Sequence, residues 1–341
     1  MMDLQVVVAC VIGFFYACIA FFGMLWRFIR RPLAFTKELF YRKKRNVPPA
    51  CLNDPSLGSH GFIHLEEVRL HYVISGPEGA PLMLFLHGFP EFWYSWRYQI
   101  REFNKDYRVV AIDMRGYADS DKPKGVKNYT VEKLISDIRQ IVPALGYEHC
   151  VLVSHDWGGA LAWNFASYHP EMVSKLIVMN CPHGAAFQKF IRKSWKQFKM
   201  SWYMFFFQMP FLPELMFSIN DYNAMKMIFT GSKGGVKSDS TNQDDIEAYK
   251  YAASRQGGMT GPINYYRAAL RFPRIFGAMP KIEKPVLLIW GKPDMALSTE
   301  LAELSRQYCN NIKIEYVENS SHWVQMDKPD EVNQLMRNFL K

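Results

Sequence analysis

The chain has 341 residues, 49% hydrophobic, 15% aromatic and 21% charged, which excludes a disordered or collagen-like polymer and allows one large α/β domain or two modest ones with a self-sufficient core. Its six cysteines (Cys10, Cys18, Cys51, Cys150, Cys181, Cys309) show no CxxC and no paired spacing, so a zinc ribbon or disulfide framework is excluded and a reducing compartment fits. The net charge of +9 is concentrated in residues 1–45, where eight basic side chains face two acidic ones and leave +3 for the other 296 residues; with no RNP-like or helix-turn-helix pattern beside it, nucleic acid is not expected as a partner.

From the N-terminus, Val6 to Trp26 is an uninterrupted apolar run of 21 residues without a charge. At about 1.5 Å per residue it covers roughly 30 Å, the hydrocarbon thickness of a bilayer. The positive residues follow the run instead of preceding it, opposite to a cleaved signal peptide, so an uncleaved single-pass anchor is expected. Cationic flanks stay cytoplasmic, which puts the segment from Arg27 to Arg45 and everything after it in the cytosol and the N-terminus across the membrane; the endoplasmic reticulum is the membrane expected. The same segment can rest on anionic headgroups. The core motifs begin only after Pro48-Pro49, so residues 1–45 form the anchor and basic juxtamembrane segment and are expected to be dispensable for the rest.

Beyond that point short aliphatic runs alternate with amphipathic stretches. Strands are expected at Val68 to Ile74, Leu82 to Leu86, Val109 to Asp113, Cys150 to Ser154, Lys175 to Asn180, Val286 to Trp290 and Ile312 to Val317. Several are continuous apolar runs, as in a parallel sheet covered on both faces. Helices are expected at Thr130 to Leu145, Gly159 to His169, Thr299 to Tyr308 and Asp330 to Leu340, with Thr130 as an N-cap. About a hundred residues between Asn180 and Val286 break this rhythm. Nine aromatics and four methionines fall between Trp195 and Phe217, the composition of a helical cap whose inner face lines an apolar pocket. Gly231 to Thr241 reads as an exposed loop within it. The expected organisation is therefore 46–183 core, 184–275 helical cap and 276–341 core.

The strand from Cys150 runs into Ser154-His155-Asp156-Trp157-Gly158-Gly159 and then a helix, the spacing of a nucleophile elbow in which small neighbours let a sharp turn push one side chain above the sheet. Here that residue is Asp156. A carboxylate is an anion at neutral pH, attacks without a base and becomes an ester on alkylation, which suits substitution at an sp³ carbon. Asp294 and His322 follow later strands in the order nucleophile, acid, histidine, at loop positions where an open parallel sheet collects catalytic groups. His322 is expected to take a proton from water while Asp294 orients its imidazole. Directly after the strand before the cap stands Asn180, an amide and not an acid, so that position offers no second carboxylate beside Asp294. His87-Gly88-Phe89-Pro90-Glu91 follows another strand, so the backbone N–H groups of Phe89 and Trp157 are expected to form an oxyanion hole.

The stretches HGFPEFWYSWRYQ, RGYADSDKP, SHDWGG and SHWVQMDKP together resemble the epoxide hydrolase branch of the α/β-hydrolase superfamily over essentially all of residues 46–341. The N-terminal anchor and PPACLNDPSLG resemble its membrane-bound epoxide hydrolase 4 group. The resemblance implies an α/β-hydrolase fold, mostly parallel with helices on both faces, carrying an inserted helical cap and an N-terminal transmembrane helix. It also implies two cap tyrosines that hydrogen-bond and protonate the epoxide oxygen, and the matching positions are Tyr203 and Tyr266. Pro90, Trp202, Phe206 and Trp323 are expected to line the substrate pocket. Ala118 and Ser321 depart from the family pattern, standing where relatives usually have Gly. The expected reactants are a small lipophilic epoxide, such as an epoxy fatty acid, and water, with no cofactor and no metal. Two other readings stay open at this stage: a haloalkane dehalogenase-like hydrolase sharing the aspartyl ester, and a noncatalytic membrane-anchored scaffold.

Overall fold

The computed structural model describes residues 4–273 and 279–341. Two N-terminal helices, α1 (Leu4–Arg30) and α2 (Pro32–Phe40), precede an eight-stranded sheet built from β1 (Ser59–His64), β2 (Arg69–Ser75), β3 (Leu82–Leu86), β4 (Arg108–Ile112), β5 (Cys150–His155), β6 (Val173–Met179), β7 (Val286–Gly291) and β8 (Ile312–Val317). Around it lie α3 (Arg97–Phe103), α4 (Val131–Ala144) and α5 (Asp156–Tyr168). Among the described residues six helices, α6 (Gly184–Ile191), α7 (Trp195–Met200), α8 (Trp202–Phe206), α9 (Leu212–Thr230), α10 (Gln243–Ser254) and α11 (Thr260–Arg271), separate β6 from β7. The chain closes with α12 (Glu300–Ser305), α13 (Val324–Asp327) and α14 (Pro329–Leu340).

The strand order is β1-β2-β4-β3-β5-β6-β7-β8. The β1–β2 and β2–β4 pairs are antiparallel and all others parallel. All residues of β3, β5 and β7 are buried, which is why β3, β7 and the first four residues of β5 read as apolar runs. Full burial of each large aliphatic side chain there contributes about 1.5–3 kcal/mol. After β3 the chain goes to one side to form β4 and then returns to the other side to form β5. The C-terminal ends of β3 and β5 therefore flank a topological switch point, where an open sheet leaves a crevice.

Several expectations change in detail. The edge strand β1 (SHGFIH) escapes the sequence pattern because it is polar, contains a glycine and shields only Ile63. Thr130 occupies the N-cap of α4 but makes no side-chain capping bond. Helix α5 begins at Asp156, three residues before Gly159, and Thr299 to Tyr308 splits into α12 and a 3₁₀ turn. The stretch from Gly231 to Thr241 is docked and not free: Lys237 and Ser238 donate backbone N–H groups to Asp327, and the Ser240 carbonyl accepts from Arg97 and Tyr98. Ala118 adopts φ +35°, left-handed backbone that a glycine would hold at less cost. Of the expected boundaries, the one between residues 275 and 276 lies outside the described residues.

The N-terminal segment is tied to the cap. Helix α1 packs on α8 and α2 on α9. Arg45, with a side chain 3% exposed, bridges Asp221 and Glu247 at 2.7 and 2.9 Å. Asp221 lies where α9 leaves helical geometry, at φ +58°, and its backbone N–H donates to the Tyr41 carbonyl. The strap of residues 41–45 thus fastens the kink of a cap helix and packs as part of the folded unit.

Candidate active site

Asp156 is the first residue of α5, at φ +47°. A non-glycine residue is held in this region only when its surroundings over-determine it. The ends of β3 and β5 do so by close approach. The Gly158 N–H donates to the His87 carbonyl at 3.1 Å, and a Cβ on Gly158 would collide with the Leu86 carbonyl oxygen. A Cβ on Gly88 would stand 2.5 Å from that of Asp156. The glycines just beyond the two strands, Gly88 after β3 and Gly158 in the first turn of α5, let the carboxylate rise into the crevice.

There Asp156 Oδ1 accepts the Phe89 N–H at 2.8 Å, and Oδ2 lies 3.6 Å from His322 Nε2. His322 Nδ1 is 2.7 Å from Asp294 Oδ2. Asp294 Oδ1 accepts the N–H groups of Ala296 and Leu297 at 2.7 and 3.0 Å, and the Asn180 amide donates to Oδ2 at 2.8 Å. With so many donors on the carboxylate, Nδ1 carries a proton toward it and Nε2 is turned to Asp156. The structure therefore brings Asp156, His322 and Asp294 into one line, and Asn180 supports Asp294 instead of replacing it.

The electrostatics of this line are set by charge against burial. Burial pushes the Asp156 carboxyl up, but His322, His155 and the Phe89 N–H outweigh it and hold the group below the usual carboxylate value. Burial pulls His322 down, yet Asp294 and Asp156 on its two sides drive it up to about 10. The carboxyl groups on its two sides therefore favour the protonated form of the His322 imidazole.

Tyr203 on α8 and Tyr266 on α11 face this line from the cap. Their ring centroids are 5.7 Å apart and nearly perpendicular. Burial first, and then the Asp156 charge, pushes both phenols above their ordinary value, so each keeps its proton. Tyr266 packs edge-on against Phe89 and Trp157, with centroids at 5.1 and 5.0 Å. Its neighbour Tyr265 is committed elsewhere, donating its hydroxyl to the Arg115 carbonyl at 2.7 Å. The Trp157 N–H follows Asp156 in the first turn of α5.

The residues expected to line the pocket divide. Pro90 is buried beside Phe89, Phe206 is buried and packs on Phe207, and Trp323 stacks edge-on to His322 at 4.9 Å. Trp202 is a correction: it is 45% exposed and packs on Tyr16 of α1, 5.6 Å between centroids. Five aromatics in the six residues 202–207 leave no helical period to show which face points inward.

A buried polar network beneath the site was not singled out by sequence reasoning. Glu91 Oε2 lies 2.6 Å from His155 Nδ1 and accepts the Gly88 N–H, while Oε1 accepts from Gln325. His155 Nε2 donates to the His322 carbonyl at 2.8 Å. Burial raises the Glu91 carboxyl, but His155 overrides it and holds the group below its usual value. This network pins the loops that carry Phe89, Asp156 and His322. Its only sequence signal was the presence of Glu91 and His155 inside the two motifs. Among the described residues no group of three or more His, Cys, Asp or Glu side chains is placed to hold a metal.

A family model described as the alpha/beta hydrolase fold matches residues 81–329. The chain is 45% identical to Epoxide hydrolase 4 of Homo sapiens over 334 residues, covering 95% of this chain and 90% of that protein. It is 44% identical to Epoxide hydrolase 1 of Caenorhabditis elegans, covering 89% of this chain and 74% of that protein. Among solved structures it is similar to an epoxide hydrolase of Bacillus megaterium in complex with an inhibitor, at 38% identity and TM-score 0.76, covering 82% of this chain and 99% of that one.

Proposed function

Because the chain belongs to the epoxide hydrolases of the α/β-hydrolase fold family, we propose that it converts lipophilic epoxides, epoxy fatty acids being the class its aromatic cap favours, to vicinal diols through an ester on Asp156. The observation that carries the reading is a carboxylate at the elbow, where serine hydrolases place a hydroxyl, facing two protonated phenols on the cap. With Oδ1 held by the Phe89 N–H, Oδ2 is the oxygen free to attack a ring carbon as the C–O bond breaks. Tyr203 and Tyr266 donate to the departing alkoxide, which takes up one proton.

Esterification neutralises Asp156 and removes one of the two charges that hold His322 protonated. The imidazolium then becomes a stronger acid, its proton replaces the one that Tyr203 or Tyr266 gave to the alkoxide, and the neutral imidazole accepts a proton from water. The hydroxide equivalent adds to the ester carbon. The resulting oxyanion at Oδ1 is held by the Phe89 N–H, with Trp157 as the second donor. Collapse releases the diol and restores a carboxylate containing one oxygen from water. Asp294 keeps the imidazole oriented throughout.

Helix α1 is a candidate membrane anchor: within Val6–Arg30 an 18-residue stretch has a mean hydropathy of 2.5. Its basic C-terminal flank supports attachment with the catalytic domain on the cytosolic face, and the endoplasmic reticulum is the proposed membrane. The test of the activity is incubation of the purified full chain with an epoxy fatty acid in oxygen-18 water. Diol formation with label entering the Asp156 carboxylate during a single turnover is expected. Diol without label in Asp156 overturns the ester route.

A further inference from the structure

The apolar helix α1 is not an isolated rod. Gly13 meets the Phe205 carbonyl of α8 so closely that a Cβ there would collide with it, and Met209 lies against the same glycine. Val6 and Ala9 are buried on this face, and Tyr16 stacks on Trp202. At its other end α1 leads into α2, which packs on α9, and into the strap that Arg45 locks to Asp221 and Glu247. Both ends are fastened to the cap.

These contacts conflict with an upright span. Gly13 lies 14 residues before Arg27, or about 21 Å along the axis. Were the basic end at the headgroups and α1 perpendicular, the α1–α8 contact would sit near the far side of a hydrocarbon layer about 30 Å thick. Helix α7, directly before α8, carries exposed Lys196 and Lys199, and charges at such depth are costly. A helix lying along the membrane removes this cost. The outward face of α1, with Phe14, Phe15, Phe22 and Trp26, is exposed.

The cap continues that face. Phe205, beside Gly13, packs on Phe198, which stacks on Trp195, with centroids 5.2 and 5.3 Å apart. Trp195 is 67% exposed, and Phe211, two residues beyond Met209, is 85% exposed. Between Gly184 and Pro213 the chain has five basic residues and no acidic one. Tryptophans beside cations next to an apolar helix are what an anionic membrane surface binds.

We propose that α1 lies along the membrane instead of crossing it, and that α1 and the α7–α8 edge of the cap form one surface embedded in the anionic cytosolic leaflet. This rests on the proposed membrane attachment of α1 but not on the chemistry assigned to Asp156. It places Tyr203, next in sequence to Trp202, one helix away from acyl chains, so that a lipophilic substrate reaches the cap from the bilayer.

The test uses the full chain with an N-terminal epitope tag in two settings. In sealed endoplasmic reticulum vesicles, protease added outside should remove the tag. In reconstituted vesicles carrying a photoreactive acyl chain, label should appear on peptides containing Trp195 and Phe211 as well as on α1, several-fold more with phosphatidylserine than with phosphatidylcholine alone. A tag protected from protease, or cap peptides that stay unlabelled while α1 is labelled, overturns the proposal. A chain whose α1 takes no label at all overturns the attachment on which it rests.

Discussion

Phe89 donates its backbone N–H to Oδ1 of Asp156 at 2.8 Å, so the two oxygens of the carboxylate are made unequal before a substrate arrives. Oδ1 is held as a carbonyl oxygen would be, and Oδ2 is left beside His322. Replacing Asp156 by Ala should leave the fold intact and lower diol formation by roughly 10⁴-fold or more. Asp156→Ser should not restore it, because a hydroxyl is not an anion at neutral pH. Circular dichroism with product assay checks both, and turnover near the parent level in either variant contradicts the role of Asp156.

His322→Gln separates the two halves of the reaction. Alkylation of a carboxylate needs no base, whereas hydrolysis of the ester does. The variant should accumulate an adduct one substrate heavier, with ester hydrolysis slowed by roughly 10²- to 10⁴-fold. Intact-protein mass spectrometry under excess epoxide reads this directly, and an unmodified mass counts against a two-step route.

The same residue predicts a pH dependence of stability. In the folded chain Asp294 and Asp156 push His322 up to about 10 against the effect of burial, above the ordinary histidine value of roughly 6.5 in the unfolded chain. A group with a raised folded pKa binds its proton more tightly in the folded state. Its stabilisation is therefore complete below the unfolded pKa and is lost as pH rises through the folded one. The melting-temperature gap between the parent and His322→Gln should be widest near about pH 6 and narrow steadily toward about pH 10. A gap that widens with pH would contradict the ion-paired arrangement.

What the sequence disclosed follows from what is local. The apolar run gave β3 to the residue, because a buried parallel strand needs apolar residues at every position; the bounds of β8 were also legible, although it is a half-exposed edge strand carrying Lys313 and Glu315. Asp156, Asp294 and His322 were legible because each sits in a loop whose place is set by the strand before it. The Glu91–His155–Gln325 network was not, since it joins residues up to 234 positions apart and its members carry no periodicity. Trp202 was turned inward for want of a period among crowded aromatics. The apolar run of α1 reads the same whether its neighbour is lipid or protein, which hid its packing on α8.

That packing changes what truncation should do. A chain beginning at residue 46 loses Arg45 and leaves Asp221 and Glu247 without their shared partner, at a cost on the order of 2 kcal/mol. A chain beginning at residue 41 keeps the strap. The longer one should melt several degrees higher and retain more activity, whereas equal melting of the two would mean that the strap adds nothing to the cap.

The cap tyrosines distinguish opening of an epoxide from displacement of a halide by the same nucleophile. An opening epoxide leaves a strongly basic alkoxide that must be hydrogen-bonded or protonated as the C–O bond breaks, while a departing halide is a weak base that needs only weak donors. Tyr266 is buried and Tyr203 half-buried, both are held in the protonated form, and their rings are set nearly perpendicular above the Asp156 line, so either can donate and neither competes as an anion. Replacing one by Phe should slow alkylation by roughly 10²-fold, the loss seen when one donor to a developing oxyanion is removed. Replacing both should bring it close to background. Ester hydrolysis should change far less, because His322 and the Phe89 N–H are untouched. Single-turnover kinetics on the two single variants and the double, with one epoxide and one matched alkyl halide, measures each step separately. Unchanged epoxide alkylation in the double variant, or faster parent turnover of the halide than of the epoxide, would favour the dehalogenase reading, since a site built for a weakly basic leaving group has no use for two phenolic donors.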